Sequence, residues 1–139
     1  MADALYANHE FLDKSFQEEF GVSAVITTEE DVDACFAAIK NAVISVKGDE
    51  YEDVKERLLK VVAFLGERVC EMLSQKWIFP EHLKTPYTKP VNYCEGYRAC
   101  KPLFTIVNWW KDGCDKEYAR LLEHHKEDFK KFLSDRQKA

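Results

Sequence analysis

Residues 65–79 read LGERVCEMLSQKWIF, and they close the segment whose pattern decides the fold. Across that segment apolar residues recur at intervals of one, three or four positions, which is the spacing of a helix with one broad buried stripe. The stripe consists of Val54, Leu58, Val61, Val62, Leu65, Val69, Met72 and Leu73. We therefore predict a helix over about 50–75 that packs against the rest of the chain.

Gly66 stands at the edge of this stripe, between Val62 and Val69. A glycine inside a helix costs about 1 kcal/mol relative to alanine. Either a neighbouring element approaches too closely for a Cβ, or the position is indifferent to the residue it holds. Because Gly66 faces inward, we expect a close approach, with the neighbour being the 78–93 segment or the fourth helix. Glu67 points away from the stripe and is predicted to be a solvated surface residue.

Four further helices are indicated by apolar periodicity and by residues that start or stop a helix. Thr28 and Asp115 are expected N-caps, while Gly21 and Gly113 are expected stops. Pro102 suits the first position of a helix. The predicted helices cover about 3–20, 28–46, 102–112 and 115–134.

Between the third and fourth helices the pattern changes to short runs rich in β-branched and aromatic residues. KWIF at 76–79 and PVNYC at 90–94 are bounded by turn formers, so they predict a small antiparallel β-hairpin at 76–93. The chain of 139 residues suits one domain with one core. The predicted fold is a single, mainly α (α+β) domain over 1–139, with four to five helices around one core and the small hairpin.

The composition of the chain predicts its cellular compartment and the redox state of its cysteines. No apolar run approaches the roughly 20 residues that cross a bilayer, and the N-terminus shows no secretory pattern, so we expect a cytoplasmic protein without a membrane partner. The five cysteines are odd in number and form no CxxC, so all five are expected to be reduced. Cys35 and Cys70 fall inside predicted helices and are expected to be buried.

Charge is unevenly distributed along the chain. Residues 1–34 hold nine acidic residues and one lysine, although the whole chain has a net charge of only −5. An acidic N-terminal segment favours a basic protein as partner. Residues 76–111 mix basic and aromatic side chains, a combination that binds single-stranded nucleic acid. The isoelectric point near 5.4 argues against nucleic acid as the partner.

The cysteines and histidines do not follow the spacing of a structural zinc site. Structural zinc sites usually place pairs of ligands two to four residues apart, whereas Cys94 and Cys100 are six apart and His124 and His125 are adjacent. His82 and Cys114 complete the candidate ligands, and we predict no metal and no cofactor. The chain carries no glycine-rich phosphate loop and no HExxH. Without a nucleophile motif beside any cysteine, the sequence argues against an enzyme.

A family resemblance is carried by a Leu-Gly-Glu helix, a tryptophan that opens a strand, and a proline-initiated aromatic helix that ends at Lys-x-Gly. In this chain the matching residues are Leu65, Gly66, Glu67, Trp77, Pro102, Lys111 and Gly113. Over residues 55–113 the pattern resembles small bacterial domains of unknown function, including immunity-type proteins of toxin systems. The resemblance implies an α+β fold and a binding role, and it supplies no catalytic residues.

Two functions from different classes remain open. The first is a bacterial interaction protein, such as an inhibitor or immunity protein, for a basic partner. The second is a small-ligand or enzymatic domain with a site between the third helix and the 76–111 segment. The residues expected to line that site are Arg68, Trp77, Tyr97, Arg98, Trp109 and Trp110.

The oligomeric state depends on apolar residues near the C-terminus. Phe129, Phe132 and Leu133 must fold back onto the core in a monomer, or they form an interface in a dimer. We favour the monomer.

Overall fold

The computed structural model describes residues 2–78, 87–90, 100–113 and 115–138. Within them, five helices and two short strands follow one another, which confirms the mainly α fold. In chain order they are α1 (Ala2–Phe20), α2 (Glu29–Ile44), α3 (Tyr51–Leu73), β1 (Gln75–Ile78), β2 (Tyr87–Pro90), α4 (Pro102–Asp112) and α5 (Asp115–Lys138). None of the described helices is long and apolar enough to cross a membrane.

The third helix lies at the centre of the molecule. Six consecutive residues, 61–66, are all buried, so neighbouring elements cover α3 on every side at its middle. The buried surface is therefore broader than the predicted stripe, since it includes Ala63 and Phe64. α1 runs antiparallel to α3, because His9 meets Glu67 near the end of α3 while Glu19 meets Arg57 near its start.

One hydrophobic core draws on all five helices. The ring of Phe16 from α1 stacks on Phe64, with ring centroids 4.3 Å apart. Phe129 and Phe132 of α5 are both buried in this core, as expected if the C-terminal helix folds back. Leu133, beside them, remains 38% exposed. These two phenylalanines are consequently not available as a dimer interface.

The predicted N-cap of α2 is confirmed. The Thr28 side chain accepts a hydrogen bond from the backbone N–H of Asp31, and the Asp31 carboxylate accepts one from the backbone N–H of Thr28, at 3.2 and 3.0 Å. This reciprocal pair is a capping box, which satisfies donors that the first turn leaves open. Backbone N–H groups of Thr27 and Thr28 pointing at the Asp31 carboxylate lower its pKa.

A hairpin is present in the predicted region. β1 and β2 pair antiparallel, with Gln75 opposite Pro90 and Ile78 opposite Tyr87. The first strand matches the predicted 76–79 closely, and its described partner strand, Tyr87–Pro90, includes only the first residue of the predicted 90–94. Pro90 has no N–H to offer a ladder, which suits the end of a described strand better than its interior. Residues 91–99 lie outside the described part of the chain.

The close approach at Gly66 is confirmed, but its neighbour is the side chain of Trp77. A Cβ on Gly66 would lie 1.9 Å from Cζ2 and 2.1 Å from Cη2 of that ring. Ser74 makes the contact possible, because it adopts the left-handed conformation (φ 52°, ψ 48°) and reverses the chain directly after α3. β1 therefore starts back along α3 and lays Trp77 on the bare backbone of Gly66.

We expect Gly66→Ala to destabilise the protein by about 1–3 kcal/mol, because the added methyl group overlaps the Trp77 ring. This loss opposes the gain of up to about 1 kcal/mol that alanine brings to a helix. Urea denaturation midpoints measure the difference. Gly66→Val is expected to cost more than Gly66→Ala.

The control for this prediction is the same substitution in a Trp77→Ala background. Without the ring, Gly66→Ala should become neutral or stabilising, and the double-mutant cycle isolates the clash. A higher midpoint for Gly66→Ala in the otherwise unchanged protein would mean that Trp77 does not constrain this position.

Candidate functional site

The four described members of the predicted ligand set contact different parts of the molecule. Arg68 faces α1, Trp77 covers Gly66, Trp109 is buried in the core, and Trp110 reaches the turn after α2. Tyr97 and Arg98 lie outside the described residues. Each of the four described side chains has a structural contact of its own.

Arg68 forms a buried ion pair between α3 and α1. Its Nη2 lies 2.7 Å from Oδ2 of Asp13, and its Nη1 donates to the carbonyl oxygen of Ala24 at 3.2 Å. The guanidinium also lies over the Phe64 ring, 5.0 Å from its centroid. Burial raises the pKa of the Asp13 carboxyl, and the charge of Arg68 opposes that rise. The arrangement joins α1, α3 and the segment between α1 and α2.

Glu67 corrects the expectation of a solvated surface residue. Its side chain is only 20% exposed, and its Oε1 accepts a hydrogen bond from Nε1 of Trp77 at 3.0 Å. The same oxygen contacts Nδ1 of His9, whose ring centroid lies 5.5 Å from that of Trp77. α1 and β1 cover the side of α3 that the apolar pattern leaves polar. Periodicity shows which residues are apolar, so it gives no signal for a carboxylate that neighbouring elements partly cover and that accepts hydrogen bonds from them.

Trp110 and Lys47 connect α4 to the turn after α2. Nε1 of Trp110 donates to the carbonyl oxygen of Val46 at 3.0 Å. In return, Nζ of Lys47 lies 3.1 Å from the carbonyl oxygen of Trp110 and 3.3 Å from that of Lys111. A cation at the last carbonyls of a helix is favourable because these groups carry partial negative charge. The contact is a helix cap made from a distant part of the sequence.

Much of the acidic charge of residues 1–34 has partners within the molecule. Glu19 contacts Arg57 at 2.8 Å and Lys60 at 3.1 Å, and these two cations lower its pKa. Asp33 and Glu29 of α2 pair with lysines of α5, at 3.1 and 3.2 Å. With Asp13 in its ion pair and Asp31 in the capping box, at least five of the nine acidic residues have structural partners.

Acidic side chains without such partners gather at the turn between α2 and α3. They border a groove of about 340 Å³, here called the acidic groove. Its lining residues are Glu19, Val46, Asp49, Asp53, Val54, Glu56, Arg57 and Lys60. Asp49, Asp53 and Glu56 are exposed, and none of them forms an ion pair within the described ranges. The groove thus offers three free carboxylates beside the buried valines.

A larger depression of about 720 Å³ lies between α4 and α5 and is called the α4–α5 cleft. Its lining residues are Phe104, Thr105, Asn108, Trp109, Asp112, Gly113, Glu117, Arg120 and Leu121. Phe104 stands at 57% exposure, whereas Trp109 is buried and contacts the Tyr118 ring edge-on at 5.9 Å. Glu117 and Arg120 form an exposed ion pair one turn apart on α5. The cleft combines an aromatic surface with hydroxyl, amide and charged groups.

The described thiols are free and are poor nucleophiles. Cys35 and Cys100 are buried and Cys70 is partly buried. Desolvation raises the pKa of Cys70 to about 12 and raises that of Cys100 as well, whereas a reactive cysteine needs a lowered pKa. In the described part of the chain, no three histidine, cysteine or carboxylate side chains are placed to share a metal ion. His82, Cys94 and Cys114 lie outside that part.

Comparison of the chain with protein-family models, with curated proteins and with solved structures gives no match. The resemblance to immunity-type domains therefore stays an expectation.

We expect Arg68→Met to destabilise the protein by about 3–5 kcal/mol, because it leaves the Asp13 carboxylate buried without its cation. The double variant Asp13→Leu/Arg68→Met should recover much of this loss, since it removes both charges from the interior. Thermal and urea denaturation measure both effects.

Arg120→Met is the matched control, because Arg120 belongs to an exposed ion pair on α5. Exposed pairs contribute about 0–1 kcal/mol, so the denaturation midpoints of this variant should lie close to those of the unchanged protein. If Arg68→Met cost no more than Arg120→Met, the α1–α3 ion pair would not be a buried structural link.

Proposed function

We propose that this chain is a cytoplasmic interaction protein of the inhibitor or immunity type, and that its acidic groove receives a basic segment of a protein partner. The observation that carries the proposal is the set of three exposed carboxylates, Asp49, Asp53 and Glu56, that lack ion pairs in the described structure. Some acidic residues elsewhere on the described chain, such as Asp33 and Glu29, are instead paired with nearby lysines.

The groove suits the side chain of a lysine or an arginine. Val46 and Val54 are 4% and 5% exposed, so an apolar surface lies beside the carboxylates. Long basic side chains lay their methylene groups along such a surface while the charged end stays among polar groups. Arg57 and Lys60 are held by Glu19, which leaves their charges partly compensated. A basic side chain therefore meets net negative charge in the groove.

The groove alone would supply part of an interface. Stable complexes bury about 800 Å² on each partner, which is more than a groove of this size provides. Complementary charge around it would chiefly speed association and orient the partner. Binding should accordingly weaken as salt screens the exposed carboxylates.

A fluorescent peptide of alternating lysine and arginine tests the groove by anisotropy. We expect Asp49→Lys/Glu56→Lys to weaken binding at least tenfold, because it replaces two attracting charges by two repelling ones. Raising the salt concentration from about 50 to 200 mM should weaken binding to the unchanged protein. Circular dichroism checks that the variant is folded.

The control Glu30→Lys/Glu123→Lys changes the net charge equally at exposed positions that do not line the groove. It should reduce peptide affinity by less than threefold. Equal losses in both variants would show general attraction to net charge, and no binding to the unchanged protein would contradict the groove as a basic-segment site. A pull-down from native lysate that returns no stable protein partner would count against the interaction role.

A second candidate function is the binding of a small molecule in the α4–α5 cleft. Its volume of about 720 Å³ falls within the 300–1,000 Å³ typical of ligand sites. Trp109, one of the predicted ligand residues, borders it, and Asn108 and Thr105 add hydrogen-bonding groups. The position differs from the predicted site between the third helix and the 76–111 segment.

A fragment screen by NMR tests this second function. Bound fragments should shift amide signals of α4 and α5, and Thr105→Trp should abolish or strongly weaken the shifts because the indole occupies part of the cleft. Val25→Trp, at a position 62% exposed and outside the cleft, serves as the control for an added tryptophan. Hits that persist in Thr105→Trp, or an absence of hits, would rule against the cleft as a ligand site.

A further inference from the structure

The outward face of α1 carries an exposed phenylalanine. Phe11 is 71% exposed, while Leu5, Leu12 and Phe16 point to the core from the opposite side of the helix. Single exposed apolar residues are common on protein surfaces. Phe11, however, has the exposed alanines Ala7 and Ala4 on the same face, one and two turns before it. The two turns before the ring therefore carry small apolar side chains on this face, with the exposed Asn8 at one edge.

Two opposite charges lie along one edge of this face. Glu10 precedes Phe11 by one residue and Lys14 follows it by three, so at about 100° per residue both project to the same side of the ring. Both side chains are exposed, and neither forms an ion pair with another described residue. An acidic and a basic group on one edge, placed before and after an apolar centre, make the face complementary to itself.

We propose that this face of α1 binds a second copy of the chain, with the two α1 helices antiparallel about a twofold axis near Phe11. A twofold axis brings the same surface of each copy together, so Phe11 packs on Phe11 of the second copy. The antiparallel direction places Glu10 beside Lys14 of the second copy, and the reverse pair forms by symmetry.

The dimer is expected to be weak. One pair of helices buries less than the roughly 1,600 Å² of a standard interface, so self-association should need protein concentrations on the order of 100 µM. This agrees with Phe129 and Phe132 lying in the core, since the C-terminal helix then offers little of its own to an interface. The self-association concerns α1 and is independent of the acidic groove.

Sedimentation equilibrium over about 10–500 µM at low salt tests the proposal. The weight-average mass should rise from 16.2 kDa towards twice that value with concentration. Phe11→Ser should lower the association constant at least tenfold. Phe104→Ser, which alters a second exposed phenylalanine of the described chain at 57% exposure, should leave it within twofold.

Variants that exchange the charges of Glu10 and Lys14 test which surface of the second copy is contacted. Glu10→Lys alone and Lys14→Glu alone should each abolish self-association, because each makes the edge of both copies carry one sign. An equimolar mixture of these two variants should associate again, as should the double variant Glu10→Lys/Lys14→Glu. Opposite charges then face each other in both cases.

Three results would overturn the proposal. A mass of 16.2 kDa at every concentration would show no self-association through any face. Equal losses for Phe11→Ser and Phe104→Ser would place the contact elsewhere. A mixture of the single-charge variants that stays monomeric would exclude the antiparallel pairing of Glu10 with Lys14.

Discussion

The contact between the Trp77 ring and the bare backbone of Gly66 fixes how the chain leaves its central helix. Ser74 reverses the backbone, and the ring then occupies space that any Cβ at position 66 would need. The Glu67 carboxylate accepts a hydrogen bond from Nε1 of the Trp77 ring and also contacts His9 on α1. A single aromatic side chain thereby links α3, β1 and α1, so the position of the hairpin depends on a glycine that weakens the helix locally.

Covering α3 on all sides has a second consequence for its polar residues. A side chain that the helix pattern would leave in water becomes buried once α1 and β1 lie over it, and a buried polar group must find partners. Glu67 and Arg68 are adjacent in sequence, and both find these partners on α1, in His9 and Asp13. The packing of α1 on α3 therefore requires these polar contacts. They give the buried Arg68 a structural role that needs no ligand.

The sequence predicted the parts of this fold that depend on local pattern. Helix positions follow from apolar spacing, and the Thr28 cap follows from short-range hydrogen bonding, so both were predicted correctly. The inward direction of Gly66 was also correct, whereas its neighbour was not, because spacing shows which face is buried and not what covers it. Glu67, the groove at Asp49 and the cap that Lys47 gives to α4 join residues far apart in sequence. No local pattern contains such contacts.

Charged residues that are paired within the fold differ in the same way from charged residues that a partner can reach. Acidic residues were expected to matter for binding because residues 1–34 hold so many of them, yet several of these are paired with α3 and α5. Pairing lowers the field that such residues project into solvent, so their number in the sequence overstates their effect on a partner. Asp49, Asp53 and Glu56 lie in a segment of mixed charge that composition does not single out, and no described cation forms an ion pair with them. On α1 likewise, Asp13 and Glu19 face cations of α3, whereas Glu10 and Lys14 face solvent beside Phe11. α1 thus pairs with cations of α3 through Asp13 and Glu19, while Glu10 and Lys14 stay exposed to solvent.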